Sequence, residues 1–505
     1  MKDYSFGNFI SELRQRNGLS QFQLGTLVGV SNKAVSKWEN GSAKPKIATC
    51  HKLALVLGVS IDELLACKYH TPAPAEKGIF AMKKELWEKA KARLHEVYGN
   101  CPHVSIVGRF ESEKQIILRK DLIVHFDFLA KLAQATRDEG SDSFIFGNIN
   151  ASFVAWLLGI TPVNPLEPHY YCPDCKKIEF VPESEDGWDL PEKNCDCGCR
   201  MNRDGHSIPC ELALEKLNKS MAFDVNMPDS AQKKAKEMLK EHFHDAARII
   251  EINFKEKMSA FTMKRFVLLP DSEYNSDVKD CQIMTYEEYA KRYGSYPHYL
   301  FLTSEHAEAL QRLCHKTNRT PDKIDFLDSK VLSTYRSGEI PEFFESPQRP
   351  ILPMLKHFSP ETFSDILQVN GLRHATGAWE DNGEKLVQAG VARWKEVIAF
   401  SENVYGAVLK KLQAASVTGT GLPLTIMENV RFGRYHSYGM PEEVENTMIQ
   451  LGFPIWYINS LKGICYLFPK GHAVAYLKTE MRLVWFSLYH PKAFNTVIDG
   501  IKKSI

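Results

Sequence analysis

The chain has almost no net charge and no long apolar run. Its 505 residues carry a formal net charge of +1, so composition alone does not favour nucleic-acid binding and any basic surface has to be local. No apolar stretch approaches the roughly 18 residues that a membrane span needs. The polar start MKDYSFGNFISELRQRNG also lacks a signal-peptide core. We therefore expect a cytoplasmic chain of roughly two to four domains without membrane contact.

Disulfides are not expected in that compartment, so a cluster of cysteines needs another explanation. Cys172-Pro-Asp-Cys175 is a CxxC knuckle, and Cys195-Asp-Cys197-Gly198-Cys199 follows about twenty residues later. Four thiolates at such spacing predict a structural zinc site with no open coordination position. Because the second knuckle is one residue short, either Cys195 and Cys197 both ligate or Cys199 replaces one of them. Unmetallated surface thiols are the alternative, and no βαβ pattern supports a redox role.

The first seventy residues contain a succession of short helical patterns. FGNFISELRQRNG has an apolar stripe that ends at Gly18, and SQFQLGTLVG and SNKAVSKWENG begin with the candidate N-caps Ser20 and Ser31. KIATCHKLALVLG and SIDELL predict two further helices. A helix, a three-residue turn and a helix together indicate a helix-turn-helix unit.

The third helix of this head predicts a surface that contacts DNA. Val35 and Trp38 are expected to face inward, and Gln21 at the start of the second helix is placed to bond a phosphate. The head also carries nine Lys or Arg and five Asp or Glu, a net charge of +4. The polar side chains predicted to reach the major groove are those of Asn32, Lys33, Ser36 and Lys37.

LRQRNGLSQFQLGTLVGVSNKAVSKWENG and LALVLGVSIDELL resemble the lambda-repressor/Cro-like (XRE) family of DNA-binding domains almost continuously. This resemblance implies binding to double-stranded DNA, usually as a dimer on paired half-sites. A five-helix bundle that binds protein is the alternative. CKYHTPAPAEKG, which follows the head, is rich in proline and alanine and predicts a linker.

The remainder of the chain has a mixed pattern. MKKELWEKAKARLHEVYG and DFLAKLAQATRDEG predict helices, HVSIVGRF and KQIILR predict short strands, and the chain after about Ser359 is strongly helical. Ordered stretches of residues 120–495 resemble the PolC-type DNA polymerase III alpha subunit, the replicative polymerase of low-GC Gram-positive bacteria. SFVAWLLGITPVNPLEPHYYCPDC, GWDLPEKNCDCG and DGHSIPCE are similar to its zinc loop, and FSDILQVNGLRHATGAW, IMENVRFGR, PIWYINSLKGICYLFPKGHAVAY and RLVWFSLYHP to its fingers.

The two resemblances imply a multidomain bacterial protein. We expect an all-α helix-turn-helix head at residues 1–70 and a linker at 71–78. An α+β palm at 79–345 with a zinc loop at 170–205, and mostly α fingers at 346–505, complete the expected order.

The resemblance also implies that this chain lacks several catalytic parts of the family. Nucleotidyl transfer needs two cations held by carboxylates, and matching SMAFDVNMPD to the family's DxD strand retains Asp224 but places Ala222 on the first acid. The third acid falls on Leu302, with Glu305 as an imperfect substitute. One carboxylate is not enough for two hard cations, so no catalytic magnesium site is expected. Rebuilding from Asp229 and Glu211 is the less favoured alternative.

The loop that matches the family's triphosphate-binding loop has also lost the residues that the chemistry needs. FIFGNINAS replaces the family's glycine-rich loop, with Phe146 at the arginine position and only Gly147 retained of its glycines. The HPGG element and the exonuclease and PHP domains have no counterpart. His374, Lys470 and His472 in the fingers remain candidates for a nucleotide-sized cleft, or they cap and solvate a helix.

These losses predict a pseudoenzyme. The favoured hypothesis is a transcriptional regulator whose polymerase-like body senses a nucleotide, a polymerase inhibitor or a replication partner. The alternatives are a decoy or immunity protein that sequesters a ligand or partner of the replicative polymerase, and an active DNA-directed DNA polymerase.

Overall fold

The structure is a computed structural model, and it describes residues 4–57, 59, 64, 74–141, 144–145, 148–214, 222–244, 247–254, 264–274, 278–344 and 350–503. The chain divides into two compact units, a head at Met1–Met82 and a body at Lys83–Ile505. Within the described ranges, no helix has both the length and the apolarity needed to cross a membrane.

The head contains four described helices: α1 (Tyr4–Arg16), α2 (Gln21–Val28), α3 (Asn32–Glu39) and α4 (Ile47–Leu57). Ser20 and Ser31 cap α2 and α3 as predicted, since each side-chain oxygen accepts a hydrogen bond from a backbone N–H in the first turn. The turn between them requires Gly25, because a Cβ there would lie 2.8 Å from the carbonyl oxygen of Val30. Of the predicted SIDELL helix, only Leu64 is described, and it is buried in the head core.

Three helices follow: α5 (Pro74–Tyr98), which begins before the boundary at Lys83 and continues into the body, α6 (Val104–Arg119) and α7 (Ile123–Asp138). α5 starts inside the segment predicted to be a linker, since Pro74 is tolerated in a first helical turn and good helix formers follow it. The prediction of strands in HVSIVGRF and KQIILR is wrong, because both segments belong to α6 and its N-cap His103. Ile106, Phe110 and Ile117 are buried at helical spacing, and short apolar runs alone do not distinguish the two structures.

A six-stranded mixed sheet lies in the segment predicted to be the palm, in the order β1-β5-β9-β7-β6-β8. Its β5–β9 and β6–β8 pairs are parallel and its other pairs antiparallel. The strands are β1 (Phe144–Ile145), β5 (Ala222–Met227), β6 (Arg248–Phe254), β7 (Lys264–Leu269), β8 (Cys281–Met284) and β9 (His298–Thr303). The helices among them are α8 (Phe153–Leu157), α9 (Cys210–Ala213), α10 (Asp229–Phe243), α11 (Tyr286–Tyr293) and α12 (Glu305–Thr317).

The cysteine loop has its own three-stranded antiparallel sheet, in the order β3-β2-β4. The strands are β2 (His169–Tyr171), β3 (Ile178–Phe180) and β4 (Asn202–Asp204). Its buried hydrophobic cluster has few members: Tyr170, Cys172, Leu190, Cys195 and Met201. Such a loop has little core of its own, so a bound metal would contribute substantially to its folding.

The rest of the body is helical, as predicted. The helices are α13 (Ser329–Ser337), α14 (Leu352–Phe358), α15 (Phe363–His374), α16 (Glu384–Gln388), α17 (Ser401–Ala414), α18 (Gly421–Arg431), α19 (Arg434–Tyr438), α20 (Glu442–Gln450), α21 (Ile455–Gly463), α22 (Lys470–Tyr489) and α23 (Pro491–Lys502). α22 belongs to the same hydrophobic core as the palm, while α17, α18 and α21 form a second core. α22 therefore packs with the core that contains the six-stranded sheet.

Candidate functional site

The exposed face of α3 carries the predicted DNA-contacting side chains. Asn32, Lys33 and Lys37 are exposed, and Val35 and Trp38 are buried in the head core. Ser36 is half-buried. One face of α3 is thus anchored in the head core, and the opposite face is exposed.

Glu39, at the end of α3, connects three helices of the head. Its carboxylate accepts hydrogen bonds from Arg14 Nε at 2.6 Å and Arg14 Nη2 at 3.1 Å. Gln21 Nε2 donates to the same carboxylate at 2.8 Å, so the predicted phosphate ligand is engaged inside the head in this structure. The hydrogen bond with Glu39 raises the pKa of Arg14, which keeps this guanidinium charged. The ion pair fixes the angle at which α3 presents its exposed face.

Four cysteine sulfurs converge at the tip of the small sheet. The Sγ atoms of Cys172, Cys175, Cys195 and Cys197 all lie within 4.8 Å of one another. The Cys172–Cys197 and Cys175–Cys195 pairs are each 3.4 Å apart. Tetrahedral coordination with Zn–S bonds of about 2.3 Å places sulfurs about 3.8 Å apart, so the four thiols fit a zinc-sized ion.

The short second knuckle selects Cys197 over Cys199. The backbone turns tightly here, since the N–H of Gly198 donates to the carbonyl of Cys195 at 2.8 Å and Gly198 has φ +91°. Cys199 lies outside the cluster, and its Sγ donates to Asp174 Oδ2 at 2.8 Å. Burial opposes ionisation of Cys172, but hydrogen bonds from the backbone N–H groups of Cys175 and Asp174 and from nearby thiols lower its pKa to about 6.

The one acid retained from the family's DxD strand, Asp224, lies on the same sheet face as Arg265, which is two strands away. Asp224 pairs with Leu300 of β9, which pairs with Arg265 of β7, and directly paired residues project to the same face. Burial raises the pKa of Asp224 and the charge of Arg265 opposes this rise. Asp224 Oδ1 is buried without a hydrogen-bond partner among the described residues. The Arg265 guanidinium also lies over the ring of Tyr289, 4.9 Å from its centroid.

The positions expected to hold the other acids have no carboxylate. Ala222 is exposed at the start of β5, and Leu302 pairs with Asn226. Asp229 accepts a hydrogen bond from Thr303 Oγ1 at 3.2 Å in the first turn of α10, and Glu211 lies on the short helix α9. Within the described residues, the cysteine cluster is the only group of three or more Cys, His, Asp or Glu side chains suited to hold a metal ion.

The loop that matches the family's triphosphate site is held in place by hydrogen bonds within the protein. Phe146 and Gly147 lie outside the described residues. Beyond them, the buried carboxylate of Glu113 accepts hydrogen bonds from Ser152 Oγ at 2.7 Å and from the backbone N–H groups of Phe153 at 2.9 Å and Val154 at 3.0 Å. Arg109 pairs with Glu113 at 2.5 Å and donates to the carbonyl of Ala151 at 2.7 Å. A protein carboxylate therefore fills the position at the start of α8 that favours an anion.

The finger candidates join α22 to the palm. Lys470 Nζ donates to the carbonyl oxygen of His206 at 2.7 Å. His472 is buried and donates a hydrogen bond to the carbonyl of Ile145. Burial and the neighbouring His374 lower the pKa of His472 to about 3, so its ring is neutral at pH 7. Phe468 lies near both rings, with centroids 4.9 Å from His472 and 5.2 Å from His374.

Sequence reasoning missed three charged residues at these sites. Arg265 is separated from Asp224 by about forty residues, and only strand register brings them together. Glu113 reaches the triphosphate-like loop from α6, which the sequence predicted as strands. Asp186 accepts from His206 Nδ1 at 2.8 Å, and both side chains are fully buried. Of these three residues, only Glu113 could have been identified from the sequence. A helix predicted over residues 104–119 would place Glu113 on its buried face.

Comparison with known proteins adds three family matches and a set of relatives. A helix-turn-helix family matches residues 10–64. The bacterial DNA polymerase III alpha NTPase domain matches residues 83–318, and the bacterial DNA polymerase III alpha subunit finger domain matches residues 305–411.

The similar curated proteins are PolC-type DNA polymerases III. That of Clostridium perfringens is 28% identical over 489 residues, covering 83% of this chain and 33% of the relative. That of Thermotoga maritima is 28% identical over 481 residues, covering 81% and 34%, respectively. That of Listeria innocua is 28% identical over 502 residues, covering 86% and 34%. The chain thus spans about one third of the length of these relatives.

Proposed function

Because the chain joins an XRE-type helix-turn-helix domain to DNA polymerase III alpha NTPase and finger domains, we propose that it is a DNA-binding transcriptional regulator with a catalytically inactive body. In this proposal the head binds an operator in double-stranded DNA as part of a homodimer. The body senses a nucleotide, a polymerase inhibitor or a component of the replication machinery. A ligand that binds one body conformation more tightly would shift the affinity of the head for DNA.

The proposal that the body is catalytically inactive rests on one observation. Asp224, Leu300 and Arg265 lie side by side on three neighbouring strands of the sheet. Two-metal catalysis needs carboxylates that jointly hold two cations about 3.5–4 Å apart. Here one carboxylate shares a sheet face with a guanidinium whose charge acts on it. Divalent cations at Asp224 would have to overcome repulsion from Arg265 without the help of carboxylates at Ala222 and Leu302.

The triphosphate-like loop supports the same proposal. Glu113 places a buried negative charge against the backbone N–H groups that start α8. A triphosphate brought to these groups would meet that carboxylate, and like charges at close range repel. Lys470 is committed to the carbonyl of His206, so a phosphate contact by this lysine requires a rearrangement of α22.

We assign the cysteine cluster a structural zinc ion. Four converging thiols leave no coordination position for water or substrate, and a loop with so small a core would gain folding free energy from a bound metal. The zinc would hold the loop that ends at His206, and His206 in turn anchors Lys470. The metal would thereby support the junction of palm and fingers rather than chemistry.

Primer extension tests the inactive body. The purified chain would be incubated with a primed template, all four deoxynucleoside triphosphates and either magnesium or manganese. We expect no template-dependent incorporation by the chain or by its Asp224→Asn variant. Incorporation by the unaltered chain that is lost in Asp224→Asn would overturn the proposal.

Selection from random duplex DNA tests the regulator. We expect the full chain to enrich a short sequence motif with two related half-sites, because dimeric helix-turn-helix heads contact successive major grooves one turn apart. Recovery of no motif, or binding to duplex DNA that is unaffected when α3 is altered, would contradict an operator-binding head.

An active DNA-directed DNA polymerase is the second candidate function, and the relatives favour it. The similar proteins are PolC-type DNA polymerases III that share 28% identity with this chain. The primer-extension experiment separates the two candidates directly, since only the second predicts incorporation dependent on Asp224.

A further inference from the structure

A cavity of about 710 Å³ opens in the body, away from the palm acid and the cysteine cluster. It is lined by α5, by the end of α7, by the segment Trp156–Pro162 that leaves α8, by Thr320–Asp322 and by α22. Small-molecule sites commonly have volumes of about 300–1,000 Å³. The cavity is therefore large enough for a ligand the size of a nucleotide.

The charges that line the cavity are mostly positive. Its acidic side chains are Glu96 and Asp322, so its formal net charge is +3. The cations come from three different helices: Lys89 and Arg93 from α5, Arg137 from α7, and Lys478 and Arg482 from α22. Cations that converge from separate elements raise the local potential and favour an anion that contacts several walls at once.

Arg137 is built into the wall by its neighbours. Its Nη1 atom donates to the carbonyl oxygen of Gly159 at 2.6 Å, and its Nη2 atom donates to Gln134 Oε1 at 3.1 Å. Gly159 has φ +70°, and a Cβ there would lie 2.9 Å from Arg137 Nη2. The absence of a side chain at Gly159 thus lets the guanidinium pack against the backbone, which orders the cation before any ligand arrives.

Arg482 adds a cation that is mostly shielded from water. It is only 6% exposed, although it lines the cavity. The hydroxyl of Thr320 donates a hydrogen bond that lowers the pKa of Asp322, and Lys323 and Arg482 lower it further. Asp322 therefore stays ionised at neutral pH and compensates one cation, while the remaining positive charges outnumber Glu96.

The cavity is distinct from the cleft suggested by Lys470 and His472. Lys478 and Arg482 follow Lys470 by eight and twelve residues on the same helix, which corresponds to roughly 12 and 18 Å along its axis. Lys470 contacts His206 near the cysteine loop, whereas the cavity borders α5 and α7.

We propose that this cavity binds a small polyphosphate anion, a ligand that carries at least two phosphate groups. A compact monoanion can contact only one wall, but a chain of phosphates can accept charge-assisted hydrogen bonds from α5, α7 and α22 together. The shared chemistry is the oligophosphate, which an inorganic or a nucleoside polyphosphate can supply. The proposal does not depend on whether the head binds DNA or the palm is inactive.

Titration calorimetry with inorganic tripolyphosphate tests the site in the full chain at constant ionic strength. The Lys89→Ala, Arg93→Ala double variant removes two exposed cavity cations, so its folding should be preserved. Lys84→Ala, Lys91→Ala is the matched control, because both lysines are exposed on α5 and neither lines the cavity. We expect tight binding to the unaltered chain and control, and at least about tenfold weaker binding to the cavity variant, which corresponds to about 1.4 kcal/mol.

A variant that is expected to bind tripolyphosphate more tightly, and not more weakly, strengthens the test. Glu96→Gln removes a negative charge from the cavity and from its 2.7 Å ion pair with Arg93, so tripolyphosphate should bind more tightly. Adenosine triphosphate compared with adenosine and tripolyphosphate then shows whether a nucleoside adds affinity to the phosphates. Absence of tripolyphosphate binding to the unaltered chain, or equal weakening of binding in both double variants, would overturn the proposal.

Discussion

Arg14 and Glu39 form a two-pronged ion pair that joins the first and third helices of the head. The two hydrogen bonds measure 2.6 and 3.1 Å, and the side chains are only 12% and 8% exposed. Arg14 also donates to the carbonyl of Leu19 at 2.7 Å, in the turn before α2. A planar guanidinium that satisfies a carboxylate at both oxygens fixes geometry more strongly than a single contact.

Replacing Glu39 with Ala should therefore destabilise the head. Arg14 would keep its charge in a shielded position without its carboxylate, and we expect a loss of about 2 kcal/mol. Hydrogen exchange of backbone amides in residues 4–57 of the full chain would measure the change. Lys33→Ala serves as the control, since Lys33 is exposed on α3. Equal protection in Glu39→Ala and the control would show that the ion pair does not stabilise the head.

The exposed face of α3 should determine DNA affinity without affecting folding. We expect Asn32→Ala to weaken binding to the selected operator by about 1–3 kcal/mol and to relax its sequence preference, if Asn32 reads a base edge. Lys37→Ala should weaken binding to all sequences and reduce the salt dependence by about one counterion. Mobility-shift titrations at several salt concentrations would measure both effects, with Lys91→Ala in the body as control. Unaltered operator affinity in both head variants would contradict the assigned face.

Substitutions of the two neighbouring cysteines Cys197 and Cys199 form a matched pair that tests which of them binds the metal. Cys197→Ser removes a thiol from the converging four, so we expect loss of zinc and a lower melting temperature. Cys199→Ser alters a sulfur that contacts Asp174 instead, so zinc content should remain at one ion per chain. Elemental analysis and thermal unfolding would measure the two properties. Loss of zinc from Cys199→Ser but not from Cys197→Ser would mean that Cys199, and not Cys197, is the fourth ligand.

Four histidines whose pKa is lowered by burial should make the body sensitive to mild acid. Burial lowers the pKa of His125, His306 and His472 to about 3 and that of His298 to about 4, whereas an unfolded histidine titrates near 6.5. As the pH falls below about 6.5, the unfolded chain binds protons that the folded chain excludes. Stability is therefore fully present above this pH and is lost below it, by about 1.4 kcal/mol per pH unit for each histidine.

Denaturant unfolding between pH 4 and 8 would measure this dependence. His125→Phe should reduce the slope of stability against pH by about one proton, even if the lost 2.8 Å contact with Tyr299 lowers stability at every pH. His436→Asn is the control, because His436 is exposed and should leave the slope unchanged. A slope that is the same in His125→Phe as in the control would show that His125 is protonated in the folded chain.

Local patterns in the sequence determined the parts of the molecule that depend on neighbours along the chain. Ser20 and Ser31 start helices because their side chains satisfy N–H groups three residues away. The buried Val35 and Trp38 follow from helical spacing. The ordered stretches of polymerase-like sequence also identified the combination of domains that the family matches confirm. The same local reasoning failed in α6, where short apolar runs fit a strand as well as a helix.

Contacts between distant segments were decided only by the tertiary structure. The sequence left Cys197 and Cys199 as alternatives, and the turn at Gly198 places Cys197 with the other three thiols. The sheet register places Arg265 on the face that carries Asp224. The cavity cations come from three helices, and α22 lies more than 300 residues beyond the other two along the chain. Their convergence depends on packing and register, which spacing along a single sequence does not encode.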